Sequence, residues 1–183
     1  MAYFDSFPIR LRPYIVDVQD VATDGNCGFR AVANILGIGE ENWSLVRKDL
    51  IKELESHFDD YSRLYGNDDM TMPDMGYVIA SRYKIILVHL SQQQCLTFLP
   101  LWDEPFAIAS HKIVAIRFAN NCHFVSINWH TSGPMPPIAC NWYKYHHPCA
   151  EGWATPYHAR MQFFRSLVEE CVAISEIIDL DKP

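Results

Sequence analysis

The order of apolar and polar positions divides the chain into a helical first half and a strand-rich middle. From Cys27 to Leu36 the apolar residues recur at helical spacing, and Gly37 ends the run. A stripe at intervals of three and four residues then predicts one long helix over about residues 42–65. Its members are Trp43, Val46, Leu50, Leu54, Phe58, Tyr61 and Leu64. A shorter helix is predicted over residues 73–83.

The strand signals follow in the middle of the chain. Residues 85–90 form a β-branched run, and a polar turn separates them from residues 95–101, which predicts a hairpin. Two more strands are predicted over residues 112–118 and 123–129. Further segments are an irregular lead-in (1–14), a short alternating stretch (15–18), a surface-wrapping segment (131–156) and a terminal helix (156–179). This order favours a single α+β domain over residues 1–183, with a small, mostly antiparallel sheet flanked by helices.

Composition and charge narrow the class of protein. The 183 residues, 49% hydrophobic and 20% charged, suit one globular domain. A net charge of -7 argues against binding to nucleic acid or to an anionic membrane. No apolar run is long enough to span a bilayer, and Asp5 and Arg10 interrupt any signal-peptide pattern. We therefore expect a cytoplasmic or nuclear protein, not a secreted one, with reduced cysteines. The sequence does not indicate an oligomeric state.

A turn rich in Gly and Asn leads into the first predicted helix and places Cys27 at its start. A thiol is only slightly ionised near neutral pH, so a catalytic cysteine needs an environment that favours the thiolate. The free N–H groups and the dipole at a helix start provide one. Gly25 and Gly28 allow a sharp turn and a close approach to substrate. Cys27 is thus a candidate nucleophile, although a packed Cys27 behind a helix cap at Asp24 would produce the same pattern.

One of the eight histidines is placed as a general base would be. His123 opens an apolar strand directly after a polar loop, and a strand end holds an imidazole rigidly at the mouth of a cleft. His89 lies inside the apolar run 85–90, which is typical of a core histidine whose hydrogen bonds are satisfied. His123 is therefore the candidate base.

A zinc site is a second possibility, raised by five residues near one another in the sequence. They are Cys140, His146, His147, Cys149 and His158. Their spacing matches no standard zinc motif, and the chain contains no CxxC pair. We therefore predict no metal and no cofactor, with these side chains dispersed over surface and core. The aromatic residues Trp129, Trp142, Tyr143 and Trp153 are expected to pack on the sheet rather than line a substrate groove.

The block Asp24-Gly25-Asn26-Cys27, followed by Phe-Arg-Ala and joined to a downstream Asn-x-His123-Phe, resembles the ovarian tumour (OTU) family of papain-like cysteine proteases. Those enzymes remove ubiquitin or ubiquitin-like proteins from conjugates. It resembles still more closely the OTU-like proteins associated with plant mutator-type transposable elements. The similar stretches are residues 7–8, 12–15, 24–31, 43–47, 75–83, 91–94, 123–125 and 155–157. The resemblance therefore spans nearly the whole chain.

The resemblance implies a papain-like (OTU) fold and a role for each motif residue. Cys27 would attack the carbonyl at the C-terminus of ubiquitin or a ubiquitin-like protein and form an acyl-enzyme, with His123 as its base. Asp24 matches the motif aspartate, beside the triad or supporting the oxyanion loop. The backbone N–H groups of Gly25, Asn26 and Cys27 would form the oxyanion hole. Conjugates of such modifiers are the expected partners.

Two departures from the family pattern bear on this hypothesis. Many OTU enzymes carry Asp or Asn two residues after the histidine to orient its ring, and here that position is Val125. We expect Asp24 to supply the orienting group, with Asn128 as second choice. The bridge at residues 67–71 is also short. Both departures favour an alternative, a catalytically silent OTU-fold binding or regulatory module of transposon origin, while the intact Cys27 and His123 favour the enzyme.

Overall fold

The computed structural model describes residues 3–4, 7–66, 75–119 and 122–180, with the backbone alone for 170–180. Its helices are α1 (Cys27–Leu36), α2 (Trp43–Ser56), α3 (Phe58–Tyr65), α4 (Met75–Tyr83), α5 (Trp142–Tyr145) and α6 (His158–Leu180). Its strands are β1 (Ile15–Gln19), β2 (Ile86–Leu90), β3 (Leu96–Phe98), β4 (Ile113–Ala119) and β5 (His123–Trp129). No helix within these described residues is both long and apolar enough to cross a bilayer.

The strands form one sheet in the order β1-β5-β4-β2-β3. Neighbours are antiparallel except for β2 and β4, which run parallel. This confirms the predicted α+β class and the hairpin of β2 and β3. The alternating stretch 15–18 becomes an edge strand, and Gln19 at its end pairs with Ser126 of β5. The antiparallel pairing therefore carries the residues that follow β1 towards the start of β5.

Helix α1 packs along β5, and its start lies beside the start of that strand. A carbon added at Gly28 would make an ordinary contact with the Phe124 ring, at 3.5 Å, so the first turn of α1 lies close to that ring. Towards the other end of α1, Asn34 Nδ2 donates to Ser126 Oγ at 2.8 Å and to Gln19 Oε1 at 2.9 Å. These two attachments set the direction of α1 along the strand.

The single long helix predicted over residues 42–65 is wrong. The chain breaks at His57, whose φ of -124° lies outside the helical range, and the two pieces are α2 and α3. The His57 ring stacks on Trp102 with centroids 5.1 Å apart, and the Tyr61 ring meets the same indole edge-on at 5.4 Å. Because Tyr61 and Leu64 remain buried, the apolar spacing is the same on both sides of the break. Phe58 of the predicted stripe is 69% exposed.

Three tryptophans attach the segment after β5 to the rest of the core. Trp129, Trp142 and Trp153 are buried, as expected for packing on the sheet, while Tyr143 is exposed. Each indole N–H donates to a backbone carbonyl, which removes the cost of burying a polar group. The acceptors are Pro134, Pro100 and Asp103, at 3.2, 3.0 and 2.8 Å.

His89 lies in the core, as predicted, but its hydrogen bonds are not satisfied. The residue is 4% exposed, and neither ring nitrogen has a partner among the described residues. Its ring packs near Phe124, with centroids 6.2 Å apart. Burial disfavours the imidazolium and lowers the pKa of His89 to about 4.

This low pKa predicts that His89 weakens the fold in mild acid. Between pH 6.5 and about 4 the unfolded state binds a proton that native His89 refuses, so stability falls as pH falls through this window. When the pH is lowered from about 7 to about 5, the unfolding free energy of wild type should fall. The fall in His89→Leu should be about 1–2 kcal/mol smaller. Urea denaturation at the two pH values measures this difference. His158→Gln, at an exposed position, should behave as wild type; an unchanged pH dependence in His89→Leu would contradict the prediction.

Candidate active site

Cys27 is the first residue of α1, so its side chain lies at the N-terminus of that helix. The turn before it depends on Gly25, whose φ of 82° is in the left-handed region that glycine adopts at low cost. Cys27 is 9% exposed. It borders a mostly apolar cavity of about 180 Å³ between α1, α2, α4 and β5. The cavity walls include Phe29, Leu50 and Phe124.

His123 is the first residue of β5, and an acidic residue holds its ring. Its Nε2 lies 2.7 Å from Asp20 Oδ1. An ionised carboxylate only accepts hydrogen bonds, so in the neutral imidazole this contact places the proton on Nε2 and leaves the lone pair on Nδ1. Nδ1 is buried and has no hydrogen-bond partner within the described part of the chain. The histidine therefore presents an unprotonated nitrogen, as a general base must.

Asp20 is the site residue that the sequence reasoning missed. It follows β1 directly, and the pairing of Gln19 with Ser126 brings it to the start of β5. The same Oδ1 accepts the N–H of Val21 at 2.9 Å, which fixes the orientation of the carboxylate. The available signal was its position, an aspartate placed immediately after an alternating strand pattern.

The expected orienting roles of Asp24 and Asn128 are corrected by this geometry. Asp24 Oδ2 lies 2.7 Å from Arg30 Nη2, and Asp24 Oδ1 accepts the N–H of Asn26 at 3.0 Å. Because the guanidinium favours the ionised carboxylate, it holds the pKa of Asp24 well below its usual range. Asp24 thus braces the turn before Cys27. Asn128 is exposed near the far end of β5.

The same contacts revise the predicted oxyanion hole. The N–H of Asn26 is engaged by Asp24 and is not free for a substrate oxygen. Among the described contacts, the N–H groups of Gly25 and Cys27 make no hydrogen bond. These two remain the candidate oxyanion donors.

The structure brings the start of α1, with Cys27, to the start of β5, with His123. The thiol and the imidazole do not form a hydrogen bond with each other in the described residues. Contacts between nucleophile and base are commonly longer before substrate binds.

Among the five residues considered for zinc, His146, His147 and Cys149 take part in short contacts. Cys149 Sγ lies 2.9 Å from His147 Nδ1 and 3.0 Å from the carbonyl of Trp102. His146 Nδ1 lies 2.8 Å from the Trp142 carbonyl. Within the described ranges, no three His, Cys, Asp or Glu side chains are grouped so that they could hold a metal ion.

No protein-family model matches the chain, and no curated protein matches it. Solved structures similar to it include the OTU domain of OTUD1, with 12% identity over 61% of this chain and 84% of that one and a TM-score of 0.49. The Farallon virus OTU domain protease has 15% identity over 66% and 88%, with a TM-score of 0.49. The Hazara virus OTU bound to ubiquitin has 13% identity over 65% and 84%, with a TM-score of 0.45. Since all three TM-scores are below 0.5, we base the functional proposal on the site geometry and the sequence motif.

The site predicts that Asp20 fixes the tautomer of His123. At about pH 8, where an ordinary imidazole is neutral, ¹⁵N spectra of the histidine rings should show His123 protonated on Nε2. Asp20→Ala should shift this signal towards a mixture of tautomers because the acceptor is lost. Asp17→Ala, which removes an acidic residue from β1 itself, is the matched control and should change nothing. If the His123 signal in Asp20→Ala stays at its wild-type position, another group orients the ring.

Proposed function

We propose that the chain is a thiol hydrolase that cleaves the peptide or isopeptide bond at the C-terminus of ubiquitin or a ubiquitin-like protein. Cys27 acts as nucleophile, His123 as general base and Asp20 as the group that orients the base. The observation that carries the proposal is the 2.7 Å contact between Asp20 Oδ1 and His123 Nε2, which in the neutral ring leaves Nδ1 as the basic nitrogen. The modifier as substrate comes from the resemblance of the Asp24–Cys27 and His123–Phe124 motifs to OTU proteases.

The reaction begins when Cys27 Sγ comes within hydrogen-bond reach of His123 Nδ1. The thiol proton passes to Nδ1, and the thiolate forms a C–S bond with the substrate carbonyl carbon. The oxyanion accepts hydrogen bonds from the N–H groups of Gly25 and Cys27. Collapse of this intermediate breaks the C–N bond, and the leaving amine takes the proton from Nδ1. His123 then deprotonates a water that hydrolyses the thioester and returns the thiol.

Asp20 has two physical roles in this scheme. Its carboxylate holds the neutral ring in the productive tautomer, and its charge stabilises the imidazolium that forms during the first step. The side chain of Asp20 is 52% exposed while that of His123 is 5% exposed, so the charge is hydrated on one side only. The Asp20 side chain therefore keeps contact with water and avoids the full cost of burying a polar group.

The alternative of a silent binding module is weakened by the same contact. Val125 is fully buried and its apolar side chain cannot orient His123, but Asp20 fills that role from the position directly after β1. The second departure, the short bridge at residues 67–71, lies outside the described residues. The chain's net charge of -7 suits the arginines of the ubiquitin tail.

A ubiquitin probe with a C-terminal electrophile tests the nucleophile. Wild type should form a covalent adduct, and Cys27→Ala should form none because the attacking sulfur is absent. Cys149→Ala is the matched control, since Cys149 also lies against a histidine, and it should be labelled as wild type. Mass spectrometry of the intact protein and of its peptides locates the adduct.

The orienting group is tested by the labelling rate. Asp20→Ala should slow labelling by about 10²-fold, a usual share for general-base catalysis. Asp20→Asn should slow it much less, because the amide oxygen still accepts from Nε2. A folded wild type that forms no adduct, or an adduct on a different cysteine, would overturn the proposal.

A further inference from the structure

The loop between Asp20 and Cys27 carries both the orienting carboxylate and the nucleophile, and it has no helix or strand of its own. Besides His123, two side chains outside this loop contact it in the described part of the chain. Glu40 Oε2 accepts the N–H of Ala22 at 2.9 Å. Arg30 reaches Asp24 from one turn further along α1.

The two attachments are connected to each other. Arg30 Nη1 donates to the backbone carbonyl of Glu40 at 3.1 Å, while its other nitrogens contact Asp24. The guanidinium also lies over the Trp43 ring, with Cζ 5.7 Å from the centroid. Arg30 thus joins the turn before Cys27 to the turn that begins at Glu40.

We propose that Glu40 is a positioning residue for the active site, an inference that rests on the proposed thiol hydrolase function. Ala22 lies two residues after Asp20, so its bond to Glu40 fixes the path of the chain just beyond the orienting carboxylate. Asp20 is half exposed, and water competes with His123 for its oxygens. Without the hydrogen bond at Ala22, the hydrogen bond between Asp20 and His123 Nε2 is formed for a smaller fraction of the time, and His123 loses its fixed tautomer.

Glu40 acts through acceptance of a hydrogen bond, and this sets the choice of variants. Glu40→Gln keeps an acceptor oxygen at the same reach and should retain activity within about twofold. Glu40→Asp is one methylene too short and should lose activity. Glu40→Ala should lower kcat by about tenfold, because it removes one hydrogen bond that positions the site. KM should be nearly unchanged. Glu41→Ala removes the adjacent, exposed acidic side chain and should match wild type.

Two measurements together test the role. The first is kcat and KM on ubiquitin carrying a C-terminal fluorogenic amide. The second is the ¹⁵N signal of His123, which does not depend on turnover: Glu40→Ala should shift it in the direction of Asp20→Ala, and Glu40→Gln should not. If wild type shows no turnover but Glu40→Ala still shifts the His123 signal, the positioning role is supported and the hydrolase function is rejected.

The opposite results overturn the inference. A wild-type His123 signal and kcat in Glu40→Ala would show that the contact with Ala22 does not position Asp20. An equal loss in Glu40→Gln would show that the charge of Glu40, not its acceptor oxygen, matters. If Glu40→Ala does not fold, Glu40→Asp provides the same comparison with less disturbance.

Discussion

The hydrogen bond between Asp20 and His123 joins the end of one strand to the start of another, and the candidate site depends on it. It forms because β1 and β5 are antiparallel, which brings residues 103 positions apart in sequence into contact. The bond decides which imidazole nitrogen carries the proton, and so which one can act as a base. Helix α1, attached along β5 through Phe124 and Ser126, places Cys27 at the same end of the sheet.

The acidic groups around Cys27 have separate contacts, and each contact follows from the partner of the carboxylate. Asp20 contacts the imidazole of His123, whereas Asp24 contacts a guanidinium and a backbone N–H and holds a turn. Glu40 holds the loop between them through a single backbone N–H. The Asp24 carboxylate is already paired with Arg30 and makes no described hydrogen bond to His123. The division of roles therefore follows from local charge pairing rather than from nearness to Cys27 in the sequence.

Local periodicity predicted those parts of the fold that local interactions determine. The bounds of α1 and β5 matched the structure, because Gly37 ends the helix and the apolar run from His123 to Trp129 is uninterrupted. The break at His57 was missed because apolar spacing continues across it and the cause, stacking on Trp102, is a tertiary contact. Asp20 was missed for a similar reason: its partner is set by strand register. Cys27 and His123 could be singled out from the sequence because each lies at the start of its own element.

A crystal structure of the chain joined to ubiquitin through a C-terminal electrophile would test the central claim most directly. We predict a covalent bond to Cys27 Sγ, with His123 Nδ1 facing the sulfur and Nε2 still hydrogen bonded to Asp20. A bond to another cysteine would contradict the account. So would an adduct at Cys27 in which His123 has turned away from Asp20 and takes its orientation from a different residue.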